Sequence, residues 1–163
     1  MLIGGVANLF WGVPRSTLDI DLTIRLEEGA SASFVSAIKD KFHLRVKDPI
    51  AFMDRTKVLP VEDSEGVGVD LILARLPYEF QAIRRAKNVR VCGETIRVCT
   101  PEDLILHKIV SDRVRDREDV RGIIRSLGTK IDRKYLDPMV SELAGFLSKK
   151  DLVIFYRSCF KKA

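Results

Sequence analysis

The nine residues Leu18–Leu26 (LDIDLTIRL) alternate without a break. Leu18, Ile20, Leu22, Ile24 and Leu26 fall on one side, and Asp19, Asp21, Thr23 and Arg25 on the other. Period two is the repeat of a β-strand, and a strand with one wholly apolar face must be covered by another layer. Val67–Leu73 (VGVDLIL) reads as a second strand, interrupted only by Asp70. Shorter strand patterns fall at Lys57–Val61 and in a hairpin of Asn88–Cys92 and Thr95–Cys99 turned at Gly93-Glu94. Helical spacing covers Val6–Trp11, Phe34–Phe42 and Pro77–Ala86, with a short helix over Pro49–Thr56. Beyond Thr100 the pattern is entirely helical. Thr100-Pro101-Glu102-Asp103 has the N-cap, first-turn proline and acids of a helix start, and Gly128 marks a helix end. Two more helices are expected over 132–147 and 151–160.

The order implies an α/β (α+β) fold: a small mixed sheet flanked by helices, with residues 1–99 as the α/β core and 100–163 as a helical C-terminal part packed on it. At 163 residues the chain is long enough for one domain with a substantial core. No apolar run reaches the roughly 18 residues of a membrane span, and no basic stretch followed by an apolar one opens the chain. The expectation is therefore a cytoplasmic protein without a membrane partner. The three cysteines, Cys92, Cys99 and Cys159, make an odd set, and in the expected hairpin Cys92 faces Thr95, so reduced thiols are expected. With two histidines and no CxxC, a structural zinc site is not expected. The net charge of +5 suits an anionic partner and equally a solvated basic surface.

Asp19 and Asp21 lie two apart on a strand and so share a face. Adjacent carboxylates repel, and a divalent cation offsets that repulsion. Mg²⁺ takes oxygen ligands, commonly one or two carboxylates plus substrate phosphates. The same pair could also be plain surface acids. Asp70 is a third acid, set in an otherwise apolar strand, where it needs a cation or an arginine partner. Gly4-Gly5 stands between a short strand and a helix start, where backbone N–H groups and the helix dipole favour a phosphate, though taken alone the pair reads first as an ordinary tight turn. Arg15 could grip a phosphate bidentately or shield Asp19 and Asp21.

These residues together carry a resemblance. Ile3-Gly4-Gly5-Val6-Ala7 followed by Trp11–Leu22 (WGVPRSTLDIDL), with thirteen residues between Gly5 and Asp19, resembles the first motif of the polymerase-β-type nucleotidyltransferase superfamily. The "GG…PR.T.DID" form is similar to AbiEii-type toxins and minimal nucleotidyltransferase-like proteins. Val69–Ile72 resembles the strand of the third carboxylate. Val98–Lys108 and Arg113–Val120 resemble the AbiEii-type lysine helix and the "R..RD..D" segment after it. The likeness spans residues 1–127. Relatives of this type usually carry a helical segment ahead of the glycine motif, and this bears on how an acceptor would be recognised.

The resemblance implies catalytic, metal-holding roles for Asp19, Asp21 and Asp70, with Asp70 also acting on the acceptor hydroxyl. It implies nucleotide contacts from Gly4, Gly5, Arg15, Thr17, Lys108 and Asp116. It implies Mg²⁺ or Mn²⁺ as cofactor, an NTP as substrate, a hydroxyl of RNA, protein or a small molecule as acceptor, and an antitoxin protein as partner. Read from the residues alone, Lys108 could equally be a solvated lysine on an amphipathic helix, and Asp116 a helix cap. The alternative to an enzyme is a weakly catalytic nucleotide- or partner-binding module of the same fold. A third reading, nucleic-acid binding through Arg113, Arg115, Arg117, Arg121 and Arg125, is opposed by the acids interleaved with them and by the lack of accompanying aromatics.

Overall fold

In the computed structural model, which describes residues 1–161, the polar and apolar faces of Asp19–Ile24 decide how the sheet is covered. The elements run α1 (Gly4–Trp11), β1 (Asp19–Ile24), α2 (Ser31–Ile38), β2 (His43–Leu44), α3 (Pro49–Thr56), β3 (Val58–Glu62), β4 (Gly68–Leu73), α4 (Pro77–Arg85), β5 (Lys87–Val91) and β6 (Glu94–Val98), then α5 (Pro101–Ile109), α6 (Val114–Leu127), a 3₁₀ turn Gly128–Lys130, α7 (Arg133–Phe146) and α8 (Lys150–Ser158). They fall into two compact units. The first comprises residues 1–6 and 16–99, the second 7–15 and 100–163.

In the first unit, four strands form a mixed sheet in the order β1-β4-β3-β2. β1 and β4 are parallel, and β3 runs antiparallel to both β4 and β2. Met1–Ile3 lies along the free edge of β1 through Ile3 N–H to the Asp21 carbonyl and Thr23 N–H to the Met1 carbonyl. Leu2 also bridges Val98, which joins the β5-β6 hairpin to that edge. The main apolar cluster lies on one face. Leu59, Val61, Val69, Leu71 and Leu73 pack with Val35 of α2 and Met53 of α3, and Ile20, Leu22 and Ile24 lean on the same cluster. The apolar side of the alternation is thus the covered one, and the acids are left on the other.

Local chemistry sets the helix ends. Asp48 caps α3 by accepting from Ala51 N–H at 3.0 Å, and Pro49 opens it. The Glu79 carboxylate accepts from the N–H groups of Arg75 and Leu76 ahead of α4. α2 starts after Ala30 with no side-chain cap, and the Ser31 hydroxyl bonds Asp54. The hairpin turns one residue earlier than its sequence suggests. Val91 pairs with Glu94, leaving Cys92 (φ 50°) and Gly93 (φ 87°) as the turn. Positive φ at both central residues is the type I′ geometry that matches strand twist. All three cysteines are free.

The second unit is helical. Thr100 caps α5, accepting from Asp103 N–H, and Asp132 caps α7, accepting from Tyr135 N–H. α6 ends at Gly128, with φ 54°. Leu104, Ile105, Leu106, Val120, Ile123, Leu136 and Val140 are buried in this unit. No helix among the described residues is long and apolar enough to cross a membrane.

Candidate active site

The face of the first unit's sheet opposite the apolar cluster gathers the acids. In the parallel register Asp19 lies opposite Gly68, Asp21 opposite Asp70 and Thr23 opposite Ile72. Asp70 also pairs with Pro60, so Glu62 and His43 follow on the same face of β3 and β2. Asp19, Asp21 and Asp70 therefore share one patch of one face, as their strand parity implies.

Glycines make room for this patch. A Cβ on Gly4 would stand 1.8 Å from Asp21 Oδ2, and Gly4 holds φ +65°. A Cβ on Gly68 would stand 2.5 Å from Asp19 Oδ1. Both carboxylates thus rest directly on bare backbone. Gly5 meets Thr17 in the same way, with Thr17 Oγ1 2.5 Å from the added Cβ. Thr17 in turn donates its hydroxyl to the Asp19 carbonyl at 3.2 Å. Gly4, Gly5 and Thr17 are thereby brought to the carboxylates, and the first turn of α1 begins against Asp21. First-turn N–H groups have no intrahelical carbonyl to bond, and the dipole makes that end attractive to anions.

The electrostatics are those of crowded acids. Burial, and then the charge of Asp19, push the Asp70 carboxyl above the usual carboxylate range, against the opposing pull of Arg45. Arg45 stands on the same face: its Nη1 lies 3.2 Å from the position of a Gly68 Cβ. Sequence reasoning missed Arg45, because its place depends on the two-residue strand β2. Among the described residues, no three or more His, Cys, Asp or Glu side chains are grouped closely enough to hold a metal ion, Asp19, Asp21 and Asp70 included. Mg²⁺ commonly binds through one or two carboxylates and keeps its other sites for water and phosphate, rather than filling an all-protein shell.

The second unit gathers the remaining candidates around a residue that the sequence reading did not single out, Asp119. Arg15 grips Asp119 with Nε and Nη2 at 2.9 and 2.8 Å. Lys108 Nζ donates to Asp119 Oδ2 at 2.7 Å and to Asp116 Oδ1 at 3.1 Å. Arg113 Nε closes the other side of Asp116 at 2.7 Å. Lys108 and both acids are buried. Lys108 is thus not a solvated lysine, and the partner of Arg15 here is Asp119. The Asp119 partnership left one trace in the sequence: Asp116 and Asp119 are three apart on α6 and so share a face.

Among solved structures, an antigenic nucleotidyltransferase-like protein from Paracoccidioides brasiliensis matches with a TM-score of 0.51. The fold is that of the nucleotidyltransferases. The match covers 99% of this chain and 85% of that chain at 17% identity, so the nucleotidyltransferase likeness is one of fold alone. No family model matches the chain. No curated protein matches it either.

Proposed function

We propose that the protein is a metal-dependent nucleotidyltransferase that moves a nucleoside monophosphate from an NTP to a hydroxyl. The observation that carries this reading is that Asp19, Asp21 and Asp70 share one sheet face, with Gly4 at the start of α1 against Asp21. Asp19, Asp21 and Asp70 would hold Mg²⁺ or Mn²⁺. When bound, such an ion supplies the positive charge that neutralises phosphate oxygens as the leaving group departs.

The chain's own residues do the rest. The first-turn N–H groups of α1, at Gly4 and Gly5, would receive phosphate oxygens at the positive end of the helix dipole. Asp70 accepts the proton of the acceptor hydroxyl or orients that hydroxyl for attack. The acceptor oxygen bonds to the α-phosphorus, the bond from that phosphorus to the bridging oxygen breaks, and pyrophosphate leaves. Thr17 holds the backbone ahead of Asp19. Arg15, Lys108 and Asp116 are bonded among themselves and to Asp119. A nucleotide that recruits Lys108 must therefore displace a buried carboxylate.

The acceptor class is RNA, protein or a small molecule. The AbiEii-type pattern of residues 3–22 supports a toxin role beside an antitoxin partner in the cytoplasm. The test supplies each α-labelled NTP with Mg²⁺, and tRNA or cell extract as acceptor. Label transferred by the wild type and not by Asp19→Asn/Asp21→Asn is expected. Metal-nucleotide binding without transfer would leave the binding-module reading in its place, and the absence of both would end the assignment of the three aspartates.

A further inference from the structure

The second unit contains a cleft of about 980 Å³ that the transfer chemistry does not use. Its lining includes Arg121, Arg125, Arg133, Lys134 and Lys161, against a single acid, Asp132. The Asp132 side chain is engaged in capping α7. Arg133 pairs with Asp137 at 3.0 Å. Among the described residues, Arg121, Arg125, Lys134 and Lys161 have no carboxylate partner. The interleaving of arginines and acids in 113–125 therefore resolves unevenly. Arg113 and Arg117 are ion-paired, while Arg121 and Arg125 turn to the cleft.

Clustered cations without counter-charges repel one another, and the arrangement is relieved by a bound polyanion. Arg121 and Arg125 are one helical turn apart, on the order of 6 Å, so they offer two guanidinium forks in line along α6. The cleft is also not purely polar. Ile124, Ile131 and Phe160 line it. The Arg133 guanidinium lies 4.6 Å from the Phe160 ring centroid, and Arg121 lies 4.9 Å from that of Phe155, which stands outside the cleft lining. A cationic track beside aromatic and guanidinium planes is the combination that holds single strands, with phosphates on the cations and bases against the flat groups. An acidic peptide would use the cations and leave the flat groups idle.

We propose that this cleft of the helical unit binds the phosphodiester backbone of a single-stranded nucleic acid. The inference stands apart from nucleotidyl transfer, because none of the cleft residues belongs to the aspartate face. The test titrates the full chain, in EDTA and without NTP, against fluorescent oligo(U) and oligo(dT) of roughly 12 nucleotides, with poly-glutamate as the competing polyanion.

Four neutralised phosphates give a slope of about −3 in log affinity against log salt, or about a 50-fold loss between about 50 and 200 mM. Arg121→Glu/Arg125→Glu is expected to weaken binding at least tenfold and to shrink that slope by about half. Lys134→Glu, on a different helix, tests the same cleft if the double variant does not fold. Arg84→Glu, on α4, changes the net charge by as much as Lys134→Glu does and should bind as the wild type. A preference between the two oligonucleotides identifies the source of the backbone. Equal loss with Arg84→Glu, no salt dependence, or poly-glutamate binding as tightly as the oligonucleotides would overturn the proposal.

Discussion

Asp21 of β1 lies directly opposite Asp70 of β4 in the parallel register. Two carboxylates facing each other across a strand pair destabilise a sheet, by roughly 0.2–1 kcal/mol on the usual cross-strand scale. Asp19 adds its charge, which helps push the Asp70 carboxyl upward. A fold that needed only stability would place a neutral residue here. Asp70→Asn should therefore raise the metal-free melting temperature by about 1–2 °C at neutral pH. It should also remove the stabilisation that the wild type gains from millimolar Mg²⁺ or Mn²⁺ with an NTP. Thermal melts with and without metal-nucleotide check both halves. A variant less stable than the wild type in EDTA would show that Asp70 is a structural acid.

The two glycines at the start of α1 should differ in what they tolerate. Gly4 sits at φ +65°, where a side chain costs roughly 1–2 kcal/mol, and its Cβ would collide with Asp21 Oδ2. Gly5 is not in that region, so its substitution adds no backbone strain, although its Cβ would stand 2.5 Å from Thr17 Oγ1 and 2.8 Å from Thr17 Cβ. Gly4→Ala is expected to lower the melting temperature by several degrees and to displace Asp21, with loss of nucleotide-dependent stabilisation. Gly5→Ala should cost less than Gly4→Ala in stability. Equal stability of both variants with the wild type would show that neither close approach matters.

Some of this site was legible in the sequence and some was not, for physical reasons. Asp19 and Asp21 could be placed together because strand parity is strict over Leu18–Leu26. Asp70 could be read as an acid in an apolar strand, but its register opposite Asp21 is a pairing between segments far apart in the chain. Arg45 was invisible, since β2 is only His43–Leu44 and too short to show alternation. The hairpin register slipped by one because Gly93 could be the first or the second turn residue. Positive φ at Cys92 decided it. The grip of Arg15 on Asp119 joins residues 104 apart, and no local pattern encodes that.

Lys108 should act as the keystone of its network. Its ammonium is shared by two buried carboxylates, Asp116 and Asp119. Lys108→Met leaves those charges with less compensation in a desolvated place. Breaking a buried pair from one side typically costs about 3–5 kcal/mol, so the melting temperature should fall by roughly 10 °C. Adding Asp119→Asn to Lys108→Met should recover part of that loss, giving a coupling of about 1–3 kcal/mol in a double-mutant cycle. Strictly additive losses would mean that Lys108 and Asp119 do not act as a pair.

The same network predicts how the fold responds to acid. Burial alone would raise the carboxyls of Asp116 and Asp119. For Asp116 the hydrogen bond from Ser111 and the charge and bond of Lys108 outweigh it. For Asp119 the bonds and charges of Arg15 and Lys108 do so. Both carboxyls end below their ordinary value. The unfolded chain, titrating near about 3.9, then binds more protons than the folded one in the window beneath that value. Stability from these acids is complete above the window and is lost as pH falls through it. Asp119→Asn should therefore melt well below the wild type at neutral pH, and the gap should narrow steadily below about pH 4. Melting temperatures of the two proteins across that range make the comparison. A gap that stays constant with pH would show that the ionised form of Asp119 is not what holds Arg15 and Lys108 in place.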